Sequence, residues 1–362
     1  MSAADIVQRT RDYERWMAQQ SAVVAADLRL KHRLMAEAPF PFFRATFYRW
    51  ADLWQATCPE LDDAPKLLAV GDLHIENFGT WRDAEGRLVW GVNDFDEVAV
   101  MPFTIDLVRL ATSAVLAGDS KPGVAIAPRM ACDAILDGYC SALAAGGKAF
   151  VLEEAHPGLR AMAYSADRDP VRFWEKMNAW PTTKAPADIR KRLAREMPEP
   201  DLRMRIAHRV AGLGALGRPR FVALASWRDG MVAREAKRML PSAYLWALGR
   251  TRRALSGGVL AARAVRCPDP FLRVDRNWQL RRLAPHCSRI ELAGWPRERD
   301  EERLLRAMGR ETANLHLGTP NAVPRIRAAL KRLKRRWLVD AATGMAEATL
   351  ADWRAWRKAG VR

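Results

Sequence analysis

Apolar and polar positions change period several times along the chain, and each change predicts a new kind of element. From residue 10 to residue 57, apolar and aromatic residues recur at helical spacing through YERWMAQQSAVVAADLRL and again through FFRATFYRWADLW, with the proline-containing APFPF between them. Leu67–Val70 and Leu88–Val92 are short apolar runs with a polar DAEG turn between them, and are expected to pair as two strands. Residues 103–145 return to helical spacing and are rich in alanine. Between Pro181 and Asp201, prolines and charges predict a linker or surface excursion. Arg205–Lys237 holds three strand-like runs broken by glycine-rich or polar turns, the pattern of a small antiparallel meander. From Pro241 onward helical spacing dominates, apart from a strand-like segment at Asn277–Leu283. Neither an internal repeat nor a low-complexity segment is present.

Composition narrows the class. With 362 residues and 49% apolar content, the chain can fill a sizeable core. No run approaches the roughly 18 apolar residues of a membrane span, and the opening MSAADIVQRTRDYERW is too polar for a secretory signal, so a cytoplasmic location without membrane contact is expected. Five cysteines, an odd number with no C-x-x-C, support neither a zinc site nor a disulfide framework and are expected to be reduced and mostly buried. The net charge of +17 raises the question of nucleic acid, but the basic excess is mostly arginine beside abundant alanine, as a GC-rich coding bias would give. In the densest basic run, Pro324–Trp337, residues Ile326, Leu330, Leu333 and Trp337 fall on one helix face, which leaves the charges on a solvated one. A nucleic-acid partner is therefore the weaker alternative. The sequence carries no sign of oligomeric state.

Chemistry concentrates in VGDLHIENFG, where Asp72 precedes Asn77 by five residues, and in Asn93-Asp94-Phe95-Asp96 beyond it. Phosphoryl-transfer enzymes of the kinase type need this set: one carboxylate accepts the proton of the attacking hydroxyl, while an amide oxygen and a second carboxylate hold magnesium. Asp72 fits the base, Asn77 and Asp94 the metal ligands, and His74 sits inside the loop to orient Asp72 or touch substrate. The upstream residues contain no glycine, so a nucleotide loop has to lie downstream. Gly212, Gly214 and Gly217 form a G-x-G-x-x-G turn between two strands, and Lys237 closes the third strand. A dinucleotide-binding turn would open a helix instead. His156, His208, His286 and His316 share no metal-ligand spacing and are expected to be structural, and most of the scattered tryptophans to lie in the core or between lobes.

GDLHIENFG followed by DFDEVAVMPFTIDL resembles the catalytic segment of aminoglycoside phosphotransferases and choline-kinase-like enzymes. On that resemblance Asp106 is the buried aspartate that braces the catalytic loop, while Val70 stands where those enzymes usually have histidine. The order of motifs, together with Lys237-Arg238-Met239-Leu240-Pro241-Ser242 and Arg281-Arg282-Leu283-Ala284-Pro285, is similar to an uncharacterised bacterial domain-of-unknown-function family. The resemblance implies an α+β, protein-kinase-like two-lobed fold, circularly permuted, with a small antiparallel β lobe and a large mostly helical lobe. Residues 1–200 would form the helical lobe with its catalytic and metal loops, 201–290 the nucleotide-binding β lobe, and 291–362 helices completing the helical lobe. Leu304–His316 resembles the helix that in unpermuted phosphotransferases comes before the catalytic loop. ATP and Mg²⁺ are the implied cofactors, with Gly212, Gly214, Gly217 and Lys237 on the phosphates and a small-molecule acceptor. One feature favours a nucleotide-binding pseudokinase: Arg238–Pro268 contains no acid to pair with Lys237, which leaves Glu235 and Glu291 as candidates.

Overall fold

The computed structural model describes residues 5–120, 126–163, 169–250, 257–275, 277–287 and 301–361. Its strands are β1 (Lys66–Ala69), β2 (Phe78–Arg82), β3 (Leu88–Val92), β4 (Ala99–Pro102), β5 (Phe150–Val151), β6 (Arg205–His208), β7 (Arg220–Trp227), β8 (Gly230–Arg238), β9 (Arg273–Asp275) and β10 (Trp278–Leu283). They form three antiparallel sheets, β1-β4, β2-β3-β5 and β6-β7-β8-β10-β9, set among helices in a mixed α+β architecture. The two apolar runs expected to pair do not. The DAEG turn joins β3 to β2, while Leu67–Ala69 of β1 pairs with β4. Strand β2 had no period-2 signal because four of its five residues are buried on both faces.

The N-terminal helical region divides into Ile6–Gln20, Ala25–Glu37, Pro39–Ala45 and Phe47–Thr57, with Pro39 starting the third, where its fixed φ suits a first helical turn. Three of these helices share one apolar core with Thr104–Ser120, Pro128–Ala145, Glu301–His316 and Trp337–Ala359, while Ala25–Glu37 packs through Met35 into a smaller cluster with Ile6, Phe42 and Trp356. Residues far apart in sequence therefore build a single helical body. The contact between Pro128–Ala145 and Glu301–His316 requires glycine on both sides: a Cβ at Gly138 would lie 2.0 Å from the Arg306 carbonyl oxygen, and one at Gly309 2.1 Å from that of Ile135. The basic run at Pro324–Trp337 is not one helix. It breaks between Ala322–Leu330 and Trp337–Ala359, although Ile326 and Trp337 are buried as the pattern required.

The meander forms as expected, with Arg228 and Asp229 left-handed (φ 48° and 62°) in the two-residue turn between β7 and β8. Its five-stranded sheet has two different faces. On one, Ala223, Ala236 and Leu280 pack against Ile189 and Leu193 of helix Ala187–Arg195, so the segment expected as a linker supplies a layer of this region. On the other, Val222, Leu224 and Leu283 pack against Met177 of helix Pro170–Asn178. The same face carries Glu235, Lys237 and Arg281, because alternate strand residues share a side. All five cysteines are unpaired, but only Cys58 and Cys132 are buried, and Cys140 is exposed. No described helix is long and apolar enough to cross a membrane.

Candidate active site

Strand β1 delivers the chain to Gly71, whose φ of +81° and position against the Glu97 carbonyl oxygen, 2.9 Å from where a Cβ would stand, exclude a side chain. The bend is held from beneath by Asp106, fully buried near the start of helix Thr104–Ser120. Its carboxylate accepts the Val70 N–H (2.8 Å) and the Gly71 N–H (2.7 Å) and lies 3.0 Å from His316 Nε2. The other ring nitrogen of His316 lies 2.7 Å from the Tyr139 hydroxyl. His316 thus ties the end of the late helix to the Val70–Gly79 loop, a structural role.

One turn beyond Asp106, Arg109 directs Nε (3.0 Å) and Nη2 (2.7 Å) at Oδ1 of Asp72, donates to the Phe43 carbonyl (2.7 Å) and stacks 3.4 Å over the Phe43 ring. Burial raises the Asp72 pKa and Arg109 opposes that rise, with a net result above the ordinary value. Burial also lowers Arg109 to about 10, so it stays charged at neutral pH. Asp72 is thus a fixed and comparatively basic carboxylate. Asn77 closes the short 3-10 turn Ile75–Asn77; its amide donates to the Asp72 carbonyl and its own carbonyl accepts the Asn93 N–H at 3.0 Å. The Val70–Gly79 and DFD loops are joined through that bond. His74 accepts the Glu76 N–H on Nδ1 (3.2 Å), and Glu76 pairs with Arg44 at 2.5 Å.

In the DFD loop, Lys237 Nζ stands 3.0 Å from Asp94 and 2.5 Å from Asp96. The acid partner of the strand lysine is therefore this pair and not Glu235; Glu291 lies outside the described residues. Burial would raise Asp94, but the Lys237 ammonium holds it below the usual carboxylate range. Burial and then the Asp94 charge lift Asp96 to about 6. Glu97 continues the chain of ion pairs, 3.2 Å from Arg218, and caps helix Ala243–Ala247 by accepting the Ala243 N–H at 2.5 Å.

A cleft of about 740 Å³ runs along this wall. Asp72, His74, Asn77 and Asp94 line it, and Gly212 and Gly214 line it from the opposite side. Gly217 and Lys237 are not among its lining residues. Gly217 (φ +95°) lets the turn pack on Leu28, 2.5 Å from where its Cβ would stand, and Lys237 is buried behind the two aspartates. The glycine turn is closed down on the Val70–Gly79 loop: a Cβ on Gly214 would be 3.6 Å from Asp72 Oδ2. Glu235, fully buried, is surrounded by Arg209, Arg281 (2.7 Å) and Arg220 (3.7 Å). Burial opposes its ionisation, yet Arg209, Arg281 and Arg220 hold it well below the ordinary range.

The Asp94 carboxylate and Asn77 amide oxygen are hard donors of the type magnesium takes, usually one or two from protein with the rest from water and phosphates. Among the described residues no three or more His, Cys, Asp or Glu gather as a complete cage. Sequence reasoning missed Arg109, Asp96 and the arginines around Glu235. Arg109 was within reach, since it lies three residues after Asp106 on one helix face. Arg281 was not, because only the register that sets it opposite Glu235 reveals the pair.

No curated protein and no solved structure matches the chain. The model of a family described as an uncharacterized protein conserved in bacteria (DUF2252) matches residues 23–169, the stretch that carries Asp72, His74, Asn77 and Asp94.

Proposed function

We propose that the cleft is the active site of an ATP- and magnesium-dependent phosphotransferase of the small-molecule kinase type, on a circularly permuted, two-lobed, kinase-like fold. The observation that carries this reading is the meeting of Asp72, Asn77 and Asp94 with Gly212 and Gly214 around one cleft, across more than a hundred residues of chain. Phosphoryl transfer depends on holding nucleotide, metal and acceptor in line, so its groups must converge in this way. Asp72, held by Arg109 and raised by burial, takes the proton of the acceptor hydroxyl. Asn77 locks the loop by bonding the Asp72 carbonyl. A magnesium ion on Asp94 and the Asn77 oxygen would supply positive charge against the phosphates.

A second reading, a nucleotide-binding regulator without turnover, is favoured by the engagement of Lys237 with Asp94 and Asp96 and by the closed glycine turn. Incubation with γ-labelled ATP and a metabolite extract separates the two. The enzyme reading expects magnesium-dependent label in a small molecule, lost in Asp94→Asn; nucleotide binding without label in any acceptor would favour the regulator, and label undiminished in Asp94→Asn would remove Asp94 from the metal site.

A further inference from the structure

The phosphate-binding groups that the motifs suggest are both occupied by the protein itself. Lys237 is held between two aspartates behind the cleft wall, and Gly214 rests on Asp72. The cationic groups nearest the catalytic loop are also neutralised, Arg44 by Glu76 and Arg218 by Glu97 and Asp96. The cluster around Glu235, also on the cleft lining, is different. Arg209, Arg220 and Arg281 all line the cleft, and three guanidinium charges surround one buried carboxylate, so Glu235 alone does not neutralise them. Arg220 is only 5% exposed, yet its Nη2 has no hydrogen-bond partner among the described residues and lies 3.2 Å from the Cβ position of Gly212, the first glycine of the turn. A buried guanidinium with an unused donor is costly unless an anion or water completes it. Guanidinium forks suit phosphate oxygens, and several together suit more than one phosphate.

Resting on the phosphotransferase reading above, we propose that Arg209, Arg220 and Arg281, oriented by Glu235, form the polyphosphate subsite of this cleft and take the triphosphate of the nucleotide. Glu235 accepts from Arg209 and Arg281 and stands 3.7 Å from Arg220, so it gathers the three side chains at the cleft lining while the Arg220 Nη2 keeps a donor unused. Helix Pro170–Asn178 adds the exposed cations Arg172 and Lys176 at the rim, where they attract an anion without fixing it.

The test uses inorganic tripolyphosphate as probe, with the full chain in the presence of a chelator, so that neither metal nor turnover is involved. Calorimetric titration is expected to show binding at least tenfold tighter than that of orthophosphate and displaced by ATP. Arg281→Gln should weaken it at least tenfold, while Arg282→Gln, the same charge removed from the next residue of β10, should leave it unchanged. Because Arg281→Gln uncovers part of a buried carboxylate, the wild-type protein supplies an independent readout. Tripolyphosphate should protect Arg209 and Arg281, and not Arg282, from phenylglyoxal, as mapped by peptide mass spectrometry. Absence of binding, equal affinity in a folded Arg281→Gln, equal protection at Arg282, or failure of ATP to displace the probe would each overturn the proposal. Tripolyphosphate binding that passes these tests in a protein that never transfers phosphate would sink the enzyme reading and leave the subsite standing; active transfer with no role for Arg281 in tripolyphosphate binding would do the reverse.

Discussion

Asp106→Asn is the smallest change that tests how the Val70–Gly79 loop is held. In the wild type, Oδ2 serves the Val70 N–H and His316 Nε2, and Oδ1 serves the Gly71 N–H. An amide keeps one acceptor. Its best orientation places the oxygen toward Val70 and His316 and the NH2 group against the Gly71 N–H, so one buried donor loses its partner and two bonds lose the charge of their acceptor. With unsatisfied buried donors costing about 1–3 kcal/mol and charge assistance adding about 1 kcal/mol, the loop is expected to be destabilised by about 2–4 kcal/mol. At 1.36 kcal/mol per decade, that corresponds to amide exchange roughly 30- to 900-fold faster. Hydrogen exchange read on peptides spanning residues 67–77 is the assay, with peptides from the five-stranded sheet as internal reference. Exchange within threefold of wild type at Gly71 would refute the brace.

Lys31 is buried beside the glycine turn, 3.4 Å from the Gly214 carbonyl, and burial lowers it from its ordinary 10.5 to about 8. Between those values the unfolded chain holds a proton that the folded chain lacks, so stability should rise with pH from about 8 to 10.5, by about 3 kcal/mol from this group. Lys31→Met should abolish that rise and be more stable than wild type at pH 7 by denaturant titration; parallel pH profiles would contradict it. Gly309→Ala should separate helices Pro128–Ala145 and Glu301–His316 at a cost of about 1–3 kcal/mol, since the new methyl meets a backbone carbonyl. An unchanged melting temperature would show that the helices are free to shift.

The sequence made the loops legible more fully than their supports. Asp72, Asn77 and Asp94 stand out because their spacing is set by chemistry within a few residues, and Asp106 because it follows them closely. The meander was legible from its period-2 runs and turns. The pairing of β1 with β4 was not, because a short apolar run carries no information about a partner strand more than 25 positions away. The resemblance points to a partner after Lys237, whereas the ion pair forms between the five-stranded sheet and Asp94, 143 positions earlier. Glu235 stands out in the sequence only as a candidate partner for Lys237, whereas in the structure it meets three arginines that come from three other places in the fold. Helix Ala187–Arg195 was hidden by the prolines on either side of it, which act here as boundaries rather than breakers.

The most direct measurement compares nucleotide binding with phosphoryl transfer in Asp72→Asn. The substitution keeps an oxygen for Arg109 and leaves Asp94, Asn77 and the arginines in place, while removing the proton acceptor. The account predicts Mg·ATP affinity within about threefold of wild type and transfer reduced by roughly 10²–10⁴. Transfer at the wild-type rate would contradict the assignment of Asp72 as the base, and with it the reading of this cleft as a kinase-type active site.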